Sequence, residues 1–159
     1  HHLLVNVSSY NEIHFYINNG GGAVDSAFML IDSMNNCEAK LVAHLSGTVA
    51  SAATIIALHC DELHTASYLS FMVHNYSHGT GNDSGNRIKN YVDFTDRELK
   101  RAFRAIYKGF LTKEEVSDVT ERDKESWINE IEVMDRWKNY KSCPDPDAYV
   151  CDKGELSHD

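Results

Sequence analysis

The rhythm of hydrophobic and polar positions divides the chain into a first half of short β-like runs joined by brief helices and a second half of longer helical stretches. Leu3 to Val7 is a short apolar run, and Glu12 to Ile17 alternates with β-branched and aromatic residues, so both predict strands. From Ala23 to Met34 the apolar positions Val24, Ala27, Phe28, Ile31 and Met34 recur at helical spacing, with Asp25 and Asp32 on the polar side. Lys40 to Leu45 predicts a further strand, and Ala52 to His59 a short buried helix. Two more β-runs follow, Glu62 to Ala66 and Leu69 to Val73. A long helix is then predicted from about Gly85 to Lys108, on an apolar stripe of Ile88, Tyr91, Val92, Leu99, Ala102, Phe103 and Ile106, with Gly109 as its stop. Thr112-Lys113-Glu114-Glu115 reads as a capping box opening a short helix. Beyond it Trp127, Ile128, Ile131, Met134 and Trp137 mark an amphipathic segment. Strands alternating with helices predict an α/β fold with a mostly parallel sheet and right-handed crossovers.

Composition narrows this picture. The 159 residues, 42% of them apolar, suit one domain with a real core, expected over residues 1–140. Past Lys138 the composition shifts, and residues 141–159, which hold both prolines, Pro144 and Pro146, read as an irregular acidic tail. A net charge of −9 argues against nucleic acid or an anionic membrane surface as the main partner. No apolar run reaches the length of a membrane span and no signal-peptide pattern opens the chain, so a cytoplasmic protein is expected. The opening pair His1-His2 reads equally as native sequence or as a tag remnant. Cys37, Cys60, Cys143 and Cys151 show no CxxC spacing, which disfavours zinc. Free thiols are the expectation, with a Cys143–Cys151 bridge as the alternative.

Candidate chemistry lies in the breaks between elements. Asn18-Asn19-Gly20-Gly21-Gly22 follows a strand and precedes a helix, where consecutive glycines allow a sharp turn or a close approach. Gly47-Thr48-Val49-Ala50-Ser51-Ala52-Ala53-Thr54 leads from strand to helix and sets Ser51 at the helix mouth, beside backbone N–H groups that no intrahelical carbonyl reaches. The strand ending at Val73 runs into the polar loop His74-Asn75-Tyr76-Ser77-His78, and Asp123 follows the capped helix. A serine becomes a nucleophile when a base takes its proton, histidine suits that work, and an acid must hold the other ring nitrogen. Each feature alone has a plainer reading: Ser51 as a helix cap, His74 as a polar strand end, Asp123 as one acid among 24.

Together they resemble a family. Ile17-Asn18-Asn19-Gly20-Gly21-Gly22-Ala23-Val24, Gly47-Thr48-Val49-Ala50-Ser51-Ala52, Phe71-Met72-Val73-His74-Asn75 and Thr120-Glu121-Arg122-Asp123 are similar, in order and spacing, to the signature segments of the Clp protease proteolytic subunit. The resemblance covers about residues 3–130. It implies a crotonase-like spiral of ββα units with a long protruding handle helix, here from Gly85 to Lys108. It implies a serine endopeptidase for unfolded polypeptides, with Ser51 as nucleophile, His74 as general base, Asp123 as orienting acid, and the N–H groups of Gly22 and Ala52 as oxyanion hole. It further implies a homo-oligomer of heptameric rings, stacked so as to enclose the sites and fed by an ATP-driven unfoldase, with no cofactor.

The chain also departs from the family. Gly20 stands where a proline is usual, and nearly all of the family's opening axial-loop hairpin and helix is missing, either because the sequence is trimmed or because this is a minimal relative, which bears on the unfoldase partnership. Ser126-Trp127-Ile128-Asn129-Glu130 and the tail replace the usual ending. A short, divergent member is expected, a phage-encoded one in a host cytoplasm being one reading. The alternatives are an inactive scaffold subunit, a crotonase-type acyl-CoA enzyme, for which no adenine-nucleotide site is evident, and a Ser-Lys peptidase, against which His74 counts. His14, His44, His59 and His64 read as structural, and His78 lacks companions for a metal site.

Overall fold

A computed structural model describes residue 8, residues 11–77, residue 79 and residues 81–142. The Leu3 to Val7 run, His1-His2, His78, Cys143 and Cys151 lie outside the described residues.

Four strands form one sheet in the order β1 (Glu12–Asn19), β2 (Lys40–Ala50), β3 (Glu62–Val73), β4 (Ser126–Ile128). β1, β2 and β3 are parallel, and β4 adds to β3 antiparallel through Phe71↔Ile128, Met72↔Trp127 and Val73↔Ser126. Helices α1 (Val24–Asn35) and α2 (Ala52–Leu58) are the crossovers between the parallel strands. Helix α3 (Gly85–Tyr107), α4 (Lys113–Arg122) and α5 (Glu130–Ser142) follow. The sheet is thus mixed, with parallel pairing confined to the first three strands, as βα crossovers require.

Alternation sets the faces. Ile13, Phe15 and Ile17 of β1 turn toward the core, joined by Leu41, Ala43, Leu45, Leu63 and the residues of α2, while Glu12, His14 and Tyr16 turn outward. On the outer face His14, His44 and His64 stack ring on ring at 5.1 Å spacing across the three strands, with Tyr16 stacked on His44. His14 Nδ1 lies 2.8 Å from His44 Nε2, and His64 pairs with Glu62 at 2.8 Å, so these rings have protein partners. Among the described residues no group of three or more His, Cys, Asp or Glu side chains is arranged to hold a metal ion. Cys37 and Cys60 are free thiols.

Three expectations shift. The strand from Lys40 continues past Leu45 to Ala50: against β1 the register shifts between Ile17↔Leu45 and Asn19↔Val49, so that β2 carries two extra residues around Gly47, whose φ is +62°, and Asn18 Oδ1 accepts the Thr48 N–H at 3.1 Å beside it. The two runs after Glu62 are one strand. Trp127 and Ile128 belong to β4, and the helix begins only at Glu130. That helix continues through Ser142. Along α3 the buried residues are Phe103, Ile106 and Tyr107, all in its last two turns. No helix among the described residues is long and apolar enough to cross a membrane.

Candidate active site

Ser51 sits on a sharp strand-to-helix turn. Its φ of +57° and ψ of −130° are costly for a residue with a Cβ, and persist because the surroundings over-determine them. Its N–H donates to Met72 O at 2.9 Å, a rung that binds the turn to the end of β3. Its carbonyl accepts from the Thr54 N–H at 2.9 Å and from Thr54 Oγ1 at 2.7 Å. Although Ser51 occupies the N-cap of α2, its side chain makes no capping hydrogen bond. The residue is half-buried, its hydroxyl has no hydrogen-bond partner among the described residues, and a strained strand-to-helix turn of this kind lifts a serine above the sheet in hydrolases.

The glycine loop abuts this turn. A Cβ on Gly21, whose φ is +93°, would lie 2.6 Å from Ala50 O, 2.7 Å from Ser51 Cβ and 2.8 Å from Ala52 N. Only a bare Cα fits there without crowding the Ala52 N–H. The Gly21 N–H donates to Asn19 Oδ1 at 3.0 Å, an Asx-type turn that starts the loop. Gly22 is exposed and open, with nothing within 4 Å of its Cβ position. Of the two glycines, Gly21 makes the close approach to the serine turn.

His74 is the first residue after β3, half-buried, two residues beyond the Met72 carbonyl that holds Ser51. The loop that it opens is anchored to α3 by the Tyr76 hydroxyl, which donates to Asp96 Oδ1 at 2.8 Å; burial and that carboxylate push the phenol up to about 12. Asp96 also pairs with Lys100 at 3.0 Å, which with that phenol holds its carboxyl below the usual range.

Asp123 ends α4 in the left-handed conformation, with φ +54°, and its N–H donates to Asp118 O. The Asp118 carboxylate binds Lys124 at 3.0 Å and Arg122, and those two cations lower its pKa. The turn is thus clamped on either side of Asp123 while the Asp123 side chain stays exposed. Because β4 runs antiparallel to β3 from Val73↔Ser126, the chain just before Ser126 passes the strand end from which His74 emerges. Ser51 and His74 leave the sheet at the same end of neighbouring parallel strands, and Asp123 lies three residues before the first rung of β4. No hydrogen bond joins the three side chains to one another.

A family model described as Clp protease matches residues 2–135. The chain belongs to the Clp protease family. It is 29% identical over 140 residues to the ATP-dependent Clp protease proteolytic subunit 2 of Pseudomonas aeruginosa, a match that covers 84% of this chain. The chain spans 66% of the length of that relative. The mixed α/β sheet with its helices is compatible with the Clp protease fold.

Two further residues of this family member lie close to the serine turn. Thr54 is fully buried and bonds both to Ser51 O and, at 2.7 Å, to the Tyr107 hydroxyl at the far end of α3, 53 residues away. The Ser51 to Thr54 spacing hints at a side-chain bond to the backbone. Nothing local announces Tyr107.

Proposed function

We propose that the protein is a serine endopeptidase that hydrolyses peptide bonds of unfolded polypeptides. Ser51 is the nucleophile, His74 the general base, Asp123 the acid that orients it, and the N–H groups of Gly22 and Ala52 the oxyanion hole. The observation that carries this reading is the uncapped Ser51 hydroxyl on a strained turn, hydrogen-bonded through its backbone to the strand that delivers His74. Family membership supports the same chemistry.

In the reaction His74 takes the Ser51 proton as Oγ attacks the peptide carbonyl, and the tetrahedral oxyanion rests on the two backbone N–H groups. His74 then gives the proton to the leaving amine, and water releases the acyl group by the reverse sequence. The side chains need only close on one another in the substrate complex, as catalytic hydrogen bonds commonly tighten there.

The same reading includes a homo-oligomer. A single chain of this size cannot shield its site, and Tyr91 and Phe94 on the open part of α3 are 56% and 58% exposed. We assign that part of α3 the role of handle between subunits in stacked rings, the spiral of ββα units to the head, and an ATP-driven unfoldase as the partner that supplies substrate.

A fluorophosphonate probe with sedimentation of the same sample tests this. Labelling of the native protein, its loss in Ser51→Ala, and a fall in peptidase rate of about 10³-fold or more in Ser51→Ala and His74→Ala are expected. Full activity in Ser51→Ala would overturn the peptidase reading, and a strictly monomeric species would overturn the oligomeric one.

A further inference from the structure

The Ser51 carbonyl and the Ala52 N–H belong to one planar peptide unit, in which the two groups point in opposite directions. Whatever fixes the carbonyl therefore aims the N–H. Thr54 holds this carbonyl twice, through its N–H at 2.9 Å and its hydroxyl at 2.7 Å. A threonine hydroxyl has one proton, and the carbonyl can only accept, so the proton of Thr54 Oγ1 is committed to Ser51 O. The Tyr107 hydroxyl, 2.7 Å from Thr54 Oγ1, must then be the donor in that contact. The chain of bonds has one direction, Tyr107 O–H to Thr54 Oγ1–H to Ser51 O, and such chains polarise one another in a dry interior.

The setting is dry and stiff. Thr54 is fully buried and Tyr107 is 2% exposed, with Phe103 packed edge-on against it. Burial pushes the Tyr107 phenol well above its ordinary value, so it stays a donor throughout the accessible pH range. Its own carbonyl accepts from the Phe110 and Leu111 N–H groups at 3.1 and 2.9 Å, which fixes the end of α3. A Cβ on Gly21 would lie 2.8 Å from Ala52 N, so only glycine at that position keeps the space beside this N–H from being filled.

Resting on the peptidase reading above, we propose that Thr54 and Tyr107 are positioning residues of the acyl-transfer site. Their hydroxyls hold the Ser51–Ala52 peptide in the plane that directs the Ala52 N–H at the developing oxyanion. They touch no substrate and act through the peptide alone.

The test uses the full chain and its Tyr107→Phe, Thr54→Val, Thr54→Ser and Thr54→Val/Tyr107→Phe variants, measured by fluorophosphonate labelling rate, by kcat and KM on a short fluorogenic peptide, and by melting temperature. Thr54→Val is expected to lower kcat and labelling rate about tenfold with KM unchanged, since the oxyanion contact acts in the transition state alone. Tyr107→Phe lowers them about threefold, Thr54→Ser restores the native rate, and the double variant is no slower than Thr54→Val because Tyr107 works through Thr54. Lower melting temperatures with native labelling rates and kcat would overturn the inference and leave the peptidase reading standing, as would strictly additive rate losses. A native protein that labels no better than Ser51→Ala would overturn both.

Discussion

At the scale of single residues, Gly21 is the most crowded glycine among the described residues. The atoms that a Cβ would strike are mostly backbone, Ala50 O and Ala52 N, and cannot swing aside as a flexible side chain would. Gly21→Ala is therefore expected to cost about 2–3 kcal/mol and to lower the melting temperature by roughly 5–10 °C, while pushing the serine turn out of place. Gly20→Ala, with open space around it and no positive φ, stays within about 0.5 kcal/mol of the native protein. Thermal melts of the two variants side by side check the contrast. The glycine loop, Ser51 and His74 are legible in the sequence because each sits at a break between elements of differing period. Gly20, Gly21 and Gly22 are indistinguishable there, and only packing selects Gly21. The pairing of Thr54 with Tyr107 is illegible because 53 residues separate the partners of that hydrogen bond.

Among the elements, α4 and α5 show how a local signal acquires a distant partner. The capping box at Thr112 forms as its spacing predicts, with the Thr112 hydroxyl accepting the Glu115 N–H and Glu115 accepting the Thr112 N–H at 2.8 Å. The same carboxylate takes a bidentate pair from Arg136 of α5, at 2.8 and 2.7 Å, and that guanidinium above all holds Glu115 far below its ordinary value, at about 2. A folded-state pKa below the unfolded one stabilises the protein fully above the ordinary carboxylate range. That contribution fades as pH falls from about 4.5 toward about 2. Glu115→Gln is expected to lose about 2 kcal/mol at pH 7, and the gap in melting temperature between it and the native protein narrows steadily from pH 5 to pH 2. A gap independent of pH would show that the pair contributes nothing through charge. The cap was readable because it spans four residues; Arg136 and β4 were not, since each finds its partner across the fold. Ser126-Trp127-Ile128 abuts an amphipathic helix and shares its apolar period until pairing with β3 singles it out.

For the whole molecule, the order in which the sheet is assembled matters. β1, β2 and β3 are joined by short crossovers, and the Ser51 rung to Met72 forms within them. β4 arrives only after α3 and α4, and seats Ile128, 3% exposed, on fully buried Phe71. Pairings distant in sequence cost more loop entropy and tend to form late. Ile128→Ala should therefore destabilise by about 3 kcal/mol and act mainly on the unfolding rate, whereas Leu45→Ala, in the central strand, slows folding. Stopped-flow folding and unfolding rates distinguish the two, and a slowed folding limb for Ile128→Ala would place β4 in the nucleus instead. If β4 seats last and the proposed triad holds, its docking acts as a safety interval: a chain still emerging from synthesis, or one loosened by heat, would hold the serine and histidine without the aspartate, and cutting would begin only once the last third had docked.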